Sequence, residues 1–190
     1  MGKINLEAYM ARQLASRVSG VRVEVEQKFR VQDIERIRKL LRRLGARLTK
    51  SGYEHNELFD MDGRLKEKEY KLRLRRHGPK DAWLTLKGPR QEGDSKQRME
   101  VETPVDYEST KHILELLDYR VCDTYAKQRE EYALDACAVS LDYLDGCGWF
   151  VEIEGKSETP IKSVARRLGL KDQDREHRSY RRLFKAQAVA

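Results

Sequence analysis

Hydrophobic and charged residues alternate through much of this chain. Val21, Val23 and Val25 interleave with Arg22, Glu24 and Glu26, and Gln27-Lys28-Phe29 follows. A period of two over this length predicts a β-strand at residues 21–31 with one apolar and one charged face. The pattern returns at residues 70–76, where Leu72 and Leu74 oppose Lys71, Arg73 and Arg75, and again at residues 83–87. At residues 98–103, Met99 and Val101 oppose Arg98, Glu100 and Glu102. Residues 53–60 read as extended, with Asp62-Gly63 as a turn, and residues 123–132 place Lys127, Arg129 and Glu131 on one face. Residues 139–143 and 149–154 form an expected hairpin around Asp145-Gly146-Cys147-Gly148.

Helical spacing is sparser. Ile34, Ile37, Leu40, Leu41 and Leu44 predict a helix stopped by Gly45; Ile113, Leu116 and Leu117 mark another over about 107–118; Ile161, Val164, Ala165 and Leu168 mark a third ending at Gly169. Leu6, Met10, Leu14 and Val18 suggest a helix over residues 3–18, read as an extension covering residues 1–20. The expected domain is 21–185, followed by a tail at 186–190. The segment from 175 onward is basic and expected to be partly helical, and 90–96 is a polar loop. About eight strands in short-turn pairs imply an antiparallel sheet and an α+β fold. Eight strands can close into a barrel with the helices outside and the charged faces within.

Composition narrows the class. Charged residues make up 37% of the 190 and apolar residues only 39%, while 39 basic against 32 acidic side chains leave a net charge of +7. That balance favours an anionic partner, whether nucleic acid, nucleotide or polyphosphate, and charge alone does not choose among them. Cys122, Cys137 and Cys147 show neither CxxC nor Cys/His spacing, so zinc and a disulfide framework are not expected and a reducing, cytoplasmic location is. No apolar run is long enough for a membrane helix, and Glu7 interrupts any leader-like segment. His55 and His77 are lone histidines, expected on the surface or in turns.

The charged faces carry the candidate chemistry. Their acids are Glu24, Glu26, Glu100, Glu102, Asp142, Glu152 and Glu154; their bases are Lys28, Arg73, Arg75, Lys87, Arg98, Lys127 and Arg129. One ExE pair is ordinarily a solvated strand face. Repetition on strand after strand is a different matter, because same-face carboxylates about 7 Å apart repel by about 2–3 kcal/mol at an effective dielectric near 20. Mg²⁺ or Mn²⁺, which prefer carboxylate oxygens, would relieve that repulsion. Facing arginines and lysines offer what phosphate oxygens accept. Metal and dense cations together point to a triphosphate.

The ordered set Glu24-x-Glu26-x-Lys28, Leu72-Arg73-Leu74-Arg75, Leu84-Thr85-Leu86-Lys87-Gly88-Pro89, Arg98-x-Glu100-x-Glu102, Lys127-x-Arg129, Leu141-Asp142 and Phe150-x-Glu152-x-Glu154 resembles the CYTH family. These are the triphosphate tunnel metalloenzymes: class IV adenylyl cyclases, thiamine triphosphatases and inorganic tripolyphosphatases. The resemblance runs over about 22–184 and includes His55-Asn56, Phe59-Asp60 and the closing Arg178-Ser179-Tyr180. It implies an eight-stranded antiparallel tunnel. It also implies that Arg73, Arg75, Lys87, Lys127 and Arg129 grip the triphosphate, with Arg98 beside them. Glu24, Glu26, Asp142, Glu152 and Glu154 would hold Mg²⁺ or Mn²⁺, with Glu100 and Glu102 on the opposite wall as further candidates. Lys28 would be the catalytic lysine, either binding phosphate or helping a proton leave the nucleophile.

Two reactions remain open on these residues. Attack of the ATP 3′-hydroxyl on the α-phosphorus yields cyclic AMP and pyrophosphate; attack of water on the γ-phosphorus of tripolyphosphate or thiamine triphosphate yields phosphate. The first segment, Lys127-Gln128-Arg129, Gly146-x-Gly148 and Arg178-Ser179-Tyr180-Arg181 look most like the cyclase branch. A non-catalytic polyphosphate- or RNA-binding module is the alternative from another class. Paired carboxylates fit it poorly, and no aromatic-rich basic patch supports nucleic acid. Neither nucleic acid nor membrane is an expected partner, and a homodimer is allowed.

Overall fold

The computed structural model describes residues 21–79, 81–91 and 95–187. The helix expected over 3–18, residues 92–94 of the polar loop and residues 188–190 of the tail lie outside the described residues. The strands are β1 (Val21–Val31), β2 (Arg47–Asp60), β3 (Lys71–His77), β4 (Asp81–Lys87), β5 (Lys96–Pro104), β6 (Arg120–Leu134), β7 (Cys137–Leu144) and β8 (Gly148–Gly155). They form a closed antiparallel barrel in the order β1-β5-β4-β3-β2-β6-β7-β8. Helices α1 (Ile34–Arg43), α2 (Arg64–Glu67), α3 (Tyr107–Leu116), α4 (Glu158–Arg167) and α5 (Tyr180–Gln187) complete the expected α+β architecture.

The chain divides into two compact units. One comprises the described residues up to Glu24 with Glu57–Cys122; the other comprises Val25–Asn56 with the described residues from Asp123 onward. In the first, β3 and β4 pair so that Leu74 faces Leu84 and Arg73 faces Thr85 across the ladder. The β4–β5 register sets Thr85 opposite Glu102 and Lys87 opposite Glu100. Period two sends the leucines to one side, where Leu114 of α3 closes a core with Phe59 and Leu74. Asp106 caps this helix by accepting from the Ser109 amide at 2.8 Å. The apolar residues that signal α3 in sequence are not its anchor: Ile113, Leu116 and Leu117 are exposed, and Leu114 and Tyr107 meet the sheet instead. His77, expected at the surface or in a turn, is buried at the end of β3.

In the second unit β8 lies between β1 and β7. Val25, Gln27 and Phe29 pair with Gly155, Ile153 and Val151, and Cys137, Val139 and Leu141 meet the same β8 residues from the other side. Helix α4 packs on β7 and β8 through Ile161, Val164 and Ala165. Gly155 permits that approach, since a Cβ there would stand 3.2 Å from both Cys137 Sγ and Ile161 Cγ1. Asp33 caps α1, and Gly45 leaves it at φ 75°. The alternate positions of the same ladders carry Glu26, Lys28, Asp142, Glu152 and Glu154.

Two strands are longer than their patterns indicate. β2 begins at Arg47 and β6 runs from Arg120 to Leu134. Arg47, Leu48 and Thr49 are all exposed, so no apolar alternation marks them; tertiary hydrogen bonding, including Thr49 Oγ1 to the Glu131 carbonyl at 2.9 Å, extends the strand.

Candidate active site: two buried charge clusters

The first cluster is built on the β1, β3, β4 and β5 faces opposite α3. Glu24 and Glu100 are almost fully buried, and one ammonium serves both. Lys87 Nζ lies 2.7 and 2.8 Å from the Glu24 carboxylate oxygens and 3.2 Å from Glu100. Arg22 adds a longer contact to Glu100 at 3.4 Å. One register line away, Glu102 accepts from Arg75 at 3.0 Å and from the Thr85 hydroxyl at 2.7 Å, with Arg73 at 3.6 Å. Burial pushes both carboxyls up in pKa, but their partners outweigh it: the charges of Lys87, Arg73 and Arg22 hold Glu100 below the usual range, and the charges of Arg75 and Arg73 with the Thr85 hydrogen bond do so for Glu102. Arg98 shares this strand face and is 6% exposed, yet among the described residues its guanidinium has no ion pair or hydrogen bond.

The second cluster centres on Asp142, which has no exposed surface. Arg129 forks onto both its oxygens at 2.7 Å, and Lys127 Nζ and the Tyr180 hydroxyl reach Oδ2 at 3.2 and 2.5 Å. Arg129 also donates to Glu152 at 3.1 Å, and Lys127 lies 3.6 Å from buried Glu54. Burial lowers the Arg129 pKa, but Asp142, Glu54 and Glu152 raise it further, so the guanidinium keeps its charge. Burial and the Asp142 and Glu152 carboxylates likewise hold the Tyr180 phenol well above its ordinary pKa, so it donates. Lys28, 3% exposed, sits across the ladder from Glu152 with its Nζ 3.9 Å over the Tyr180 ring.

Lys87, Glu24 and Glu100 thus meet directly, as do Arg73, Arg75 and Glu102, and as do Lys127, Arg129, Asp142 and Glu152. Arg98 shares its strand face with Glu100 and Glu102 without pairing. Four contributors carry no assigned role from the sequence: Arg22, Glu54, Thr85 and Tyr180. Glu54 and Asn56 do sit at i and i+2 in β2, the same signal as the other faces, but only two polar residues carry it. The sequence marks Tyr180 only as part of Arg178-Ser179-Tyr180 and gives it no role, because its partners come from β1, β6 and β7.

The donor set suits a hard divalent cation, since every candidate ligand is a carboxylate. The ladder adds a specific observation: Glu26 and Glu154 stand directly opposite each other on β1 and β8, with Glu152 two residues along on the same face. Like charges in that register repel, and a shared Mg²⁺ or Mn²⁺ would offset the repulsion. No group of three acidic, histidine or cysteine side chains already surrounds one point among the described residues. The fit is therefore one of ligand chemistry and register.

A family model described as the CYTH domain matches residues 22–180. The chain is 30% identical over 174 residues to the adenylate cyclase CyaB of Aeromonas hydrophila, covering 85% of this chain and 88% of that one. It is 29% identical over 134 residues to a Methanocaldococcus jannaschii protein named as a candidate adenylate cyclase, covering 70% and 76%. Among solved structures, a Hippeastrum protein described as having a dominant triphosphatase activity superposes with a TM-score of 0.65 at 17% identity, covering 87% and 95%; that likeness concerns the fold alone. No described helix is long and apolar enough to cross a membrane.

Proposed function

We propose, because this chain belongs to the CYTH domain family, that it is a metal-dependent enzyme acting on a triphosphate, and specifically an adenylyl cyclase of class IV type. The observation that carries the reading is the burial of interlocked cations and carboxylates on strand faces. A buried ion network is seldom more stable than an apolar one of the same volume, so its presence calls for a function. Arg98 supports the reading further, since a buried guanidinium with no described partner suits an anionic ligand.

On this reading Arg73, Arg75, Lys87, Arg98, Lys127 and Arg129 bind phosphate oxygens. The carboxylates of Glu24, Glu26, Asp142, Glu152 and Glu154 hold Mg²⁺ or Mn²⁺, with Glu100 and Glu102 as further ligands. The metal, when bound, supplies charge stabilisation at the phosphates. The 3′-oxygen of ATP forms a bond to the α-phosphorus, the bond to the bridging oxygen breaks, and pyrophosphate leaves. The 3′-hydroxyl proton must depart as that bond forms; Lys28 is assigned either to take it, which requires its neutral amine, or, as an ammonium, to bind phosphate beside it. The cyclase assignment is favoured by the A. hydrophila relative, whose name is that of an adenylate cyclase and which the chain matches along most of its length.

The test is a product assay with Mg²⁺ and with Mn²⁺ on ATP, tripolyphosphate and thiamine triphosphate. Cyclic AMP with stoichiometric pyrophosphate is expected from ATP. Orthophosphate from tripolyphosphate without any cyclic AMP would replace the cyclase assignment by hydrolysis. Tight binding with no turnover of any of the three would make the chain a binding module. Glu24→Ala and Glu152→Ala should abolish metal-dependent turnover with the fold retained, as judged by circular dichroism.

A further inference from the structure

Tyr180 is the first residue of α5 and belongs to no charged strand face, yet it touches three residues assigned above. Its hydroxyl donates to Asp142 Oδ2 at 2.5 Å. Its ring lies 3.9 Å from Lys28 Nζ and 4.4 Å from Lys127 Nζ, both inside cation–π range. Phe150 supports the ring edge-on at 5.6 Å. The side chain is 6% exposed, so these contacts are made away from water, where they are strongest.

The helix that delivers it is separately anchored. Asp123 on β6 receives Arg181 at 3.3 Å and Lys185 at 3.0 Å, and Leu183 is buried. Tyr180 is therefore one of several contacts that hold α5 in place.

We propose that Tyr180 is a positioning residue, whose ring sets the Lys28 and Lys127 ammonium groups for the triphosphate while its hydroxyl sets the Asp142 carboxylate. This rests on the triphosphate reading above. The two functions of the side chain are separable by substitution. Tyr180→Phe keeps the ring and removes the hydroxyl; Tyr180→Leu removes both. Ring loss removes one contact from each ammonium, while Lys127 keeps Asp142 at 3.2 Å and Glu54 at 3.6 Å, so its effect falls on how the two groups are placed for phosphate. Hydroxyl loss acts on Asp142 and leaves the lysines in place.

Binding of tripolyphosphate in the presence of a chelator, measured by calorimetry, isolates the lysines from the metal. Tyr180→Phe should bind within about twofold of wild type, and Tyr180→Leu about tenfold more weakly. In turnover with Mn²⁺, Tyr180→Phe should lower kcat with KM unchanged, whereas Tyr180→Leu should also raise KM. Leu183→Ala, which truncates another buried side chain of the same helix, serves as the structural control. Wild-type affinity in Tyr180→Leu, equal binding losses in the Phe and Leu variants, or the same binding loss in Leu183→Ala would each overturn the positioning role. Absence of triphosphate binding by the wild-type protein would instead sink the functional reading, and the role of Tyr180 with it.

Discussion

At the scale of single residues, the two clusters show how charge is tolerated at low exposure. Asp142 accepts four donors, and Lys87 spans two carboxylates, so neither is an uncompensated buried ion. Arg98 differs, with no described partner at 6% exposure. We predict that Arg98→Met leaves ligand-free stability unchanged or raises it by up to about 2 kcal/mol. The same variant should shrink the stabilisation that tripolyphosphate confers. Thermal unfolding with and without tripolyphosphate checks both, and a large loss of ligand-free stability would mean that Arg98 is already satisfied in the folded protein. This residue was legible from its place in Arg98-x-Glu100-x-Glu102, but the absence of a described ion-pair partner was not.

At the scale of elements, the apolar and the charged face of a strand are covered for different reasons. Helix α3 covers the leucine face of β3 and β4, and Leu114 is the contact on which it docks. Leu114→Ala should therefore cost about 2–5 kcal/mol, read as a shifted denaturant midpoint with an unchanged slope. The segment before α5 is held electrostatically. The Glu176 amide donates to the Lys28 carbonyl at 2.8 Å, and its carboxylate takes Arg178 at 2.7 Å. The Arg178 hydrogen bonds, set against a smaller opposing effect of burial, lower the Glu176 pKa from 4.5 to about 2. A lowered carboxylate pKa contributes stability that is complete above about pH 4.5 and lost as pH falls through about 2. Glu176→Gln should lower the unfolding midpoint near neutral pH, and the gap to wild type should close as pH falls to about 2. The gap should be about 1 kcal/mol or less, because Arg178 is half exposed. A pH-independent gap would remove the charge from the explanation.

At the scale of the whole molecule, the net charge of +7 and the buried carboxylates act together. The first attracts a polyanion, and the second calls for a divalent cation with it. Mg²⁺ or Mn²⁺ with a triphosphate at about a hundred times its dissociation constant should stabilise the fold by about 2.7 kcal/mol. That corresponds to a rise in Tm of about 5–10 °C for a chain of this size. Chelation should remove the metal's share of the shift, and salt should reduce the approach of the anion more than the buried contacts. A shift unaffected by chelation would contradict the metal assignment.

Much of the barrel and its chemistry was written in local pattern. Period two at Glu24-Val25-Glu26-Gln27-Lys28, Leu72 to Arg75 and Arg98 to Glu102 put the charges on one face of each strand, because side chains alternate along any extended backbone. Helix ends at Gly45 and Gly169 were legible for the same local reason, a left-handed φ that glycine adopts without strain. The extra lengths of β2 and β6 were not, since their exposed ends carry no apolar alternation. Nor were the partners. Whether Lys87 meets Glu24 or Glu102, and whether Glu26 stands opposite Glu154, depends on cross-strand register and on which strands are neighbours. Tyr180 reaches Asp142, Lys28 and Lys127 only through the return of α5 to strands far away in the chain. Residue order alone determined the signs and faces of the charges. The tertiary structure decided their pairings, because those rest on non-local hydrogen bonds and packing that no window of sequence contains.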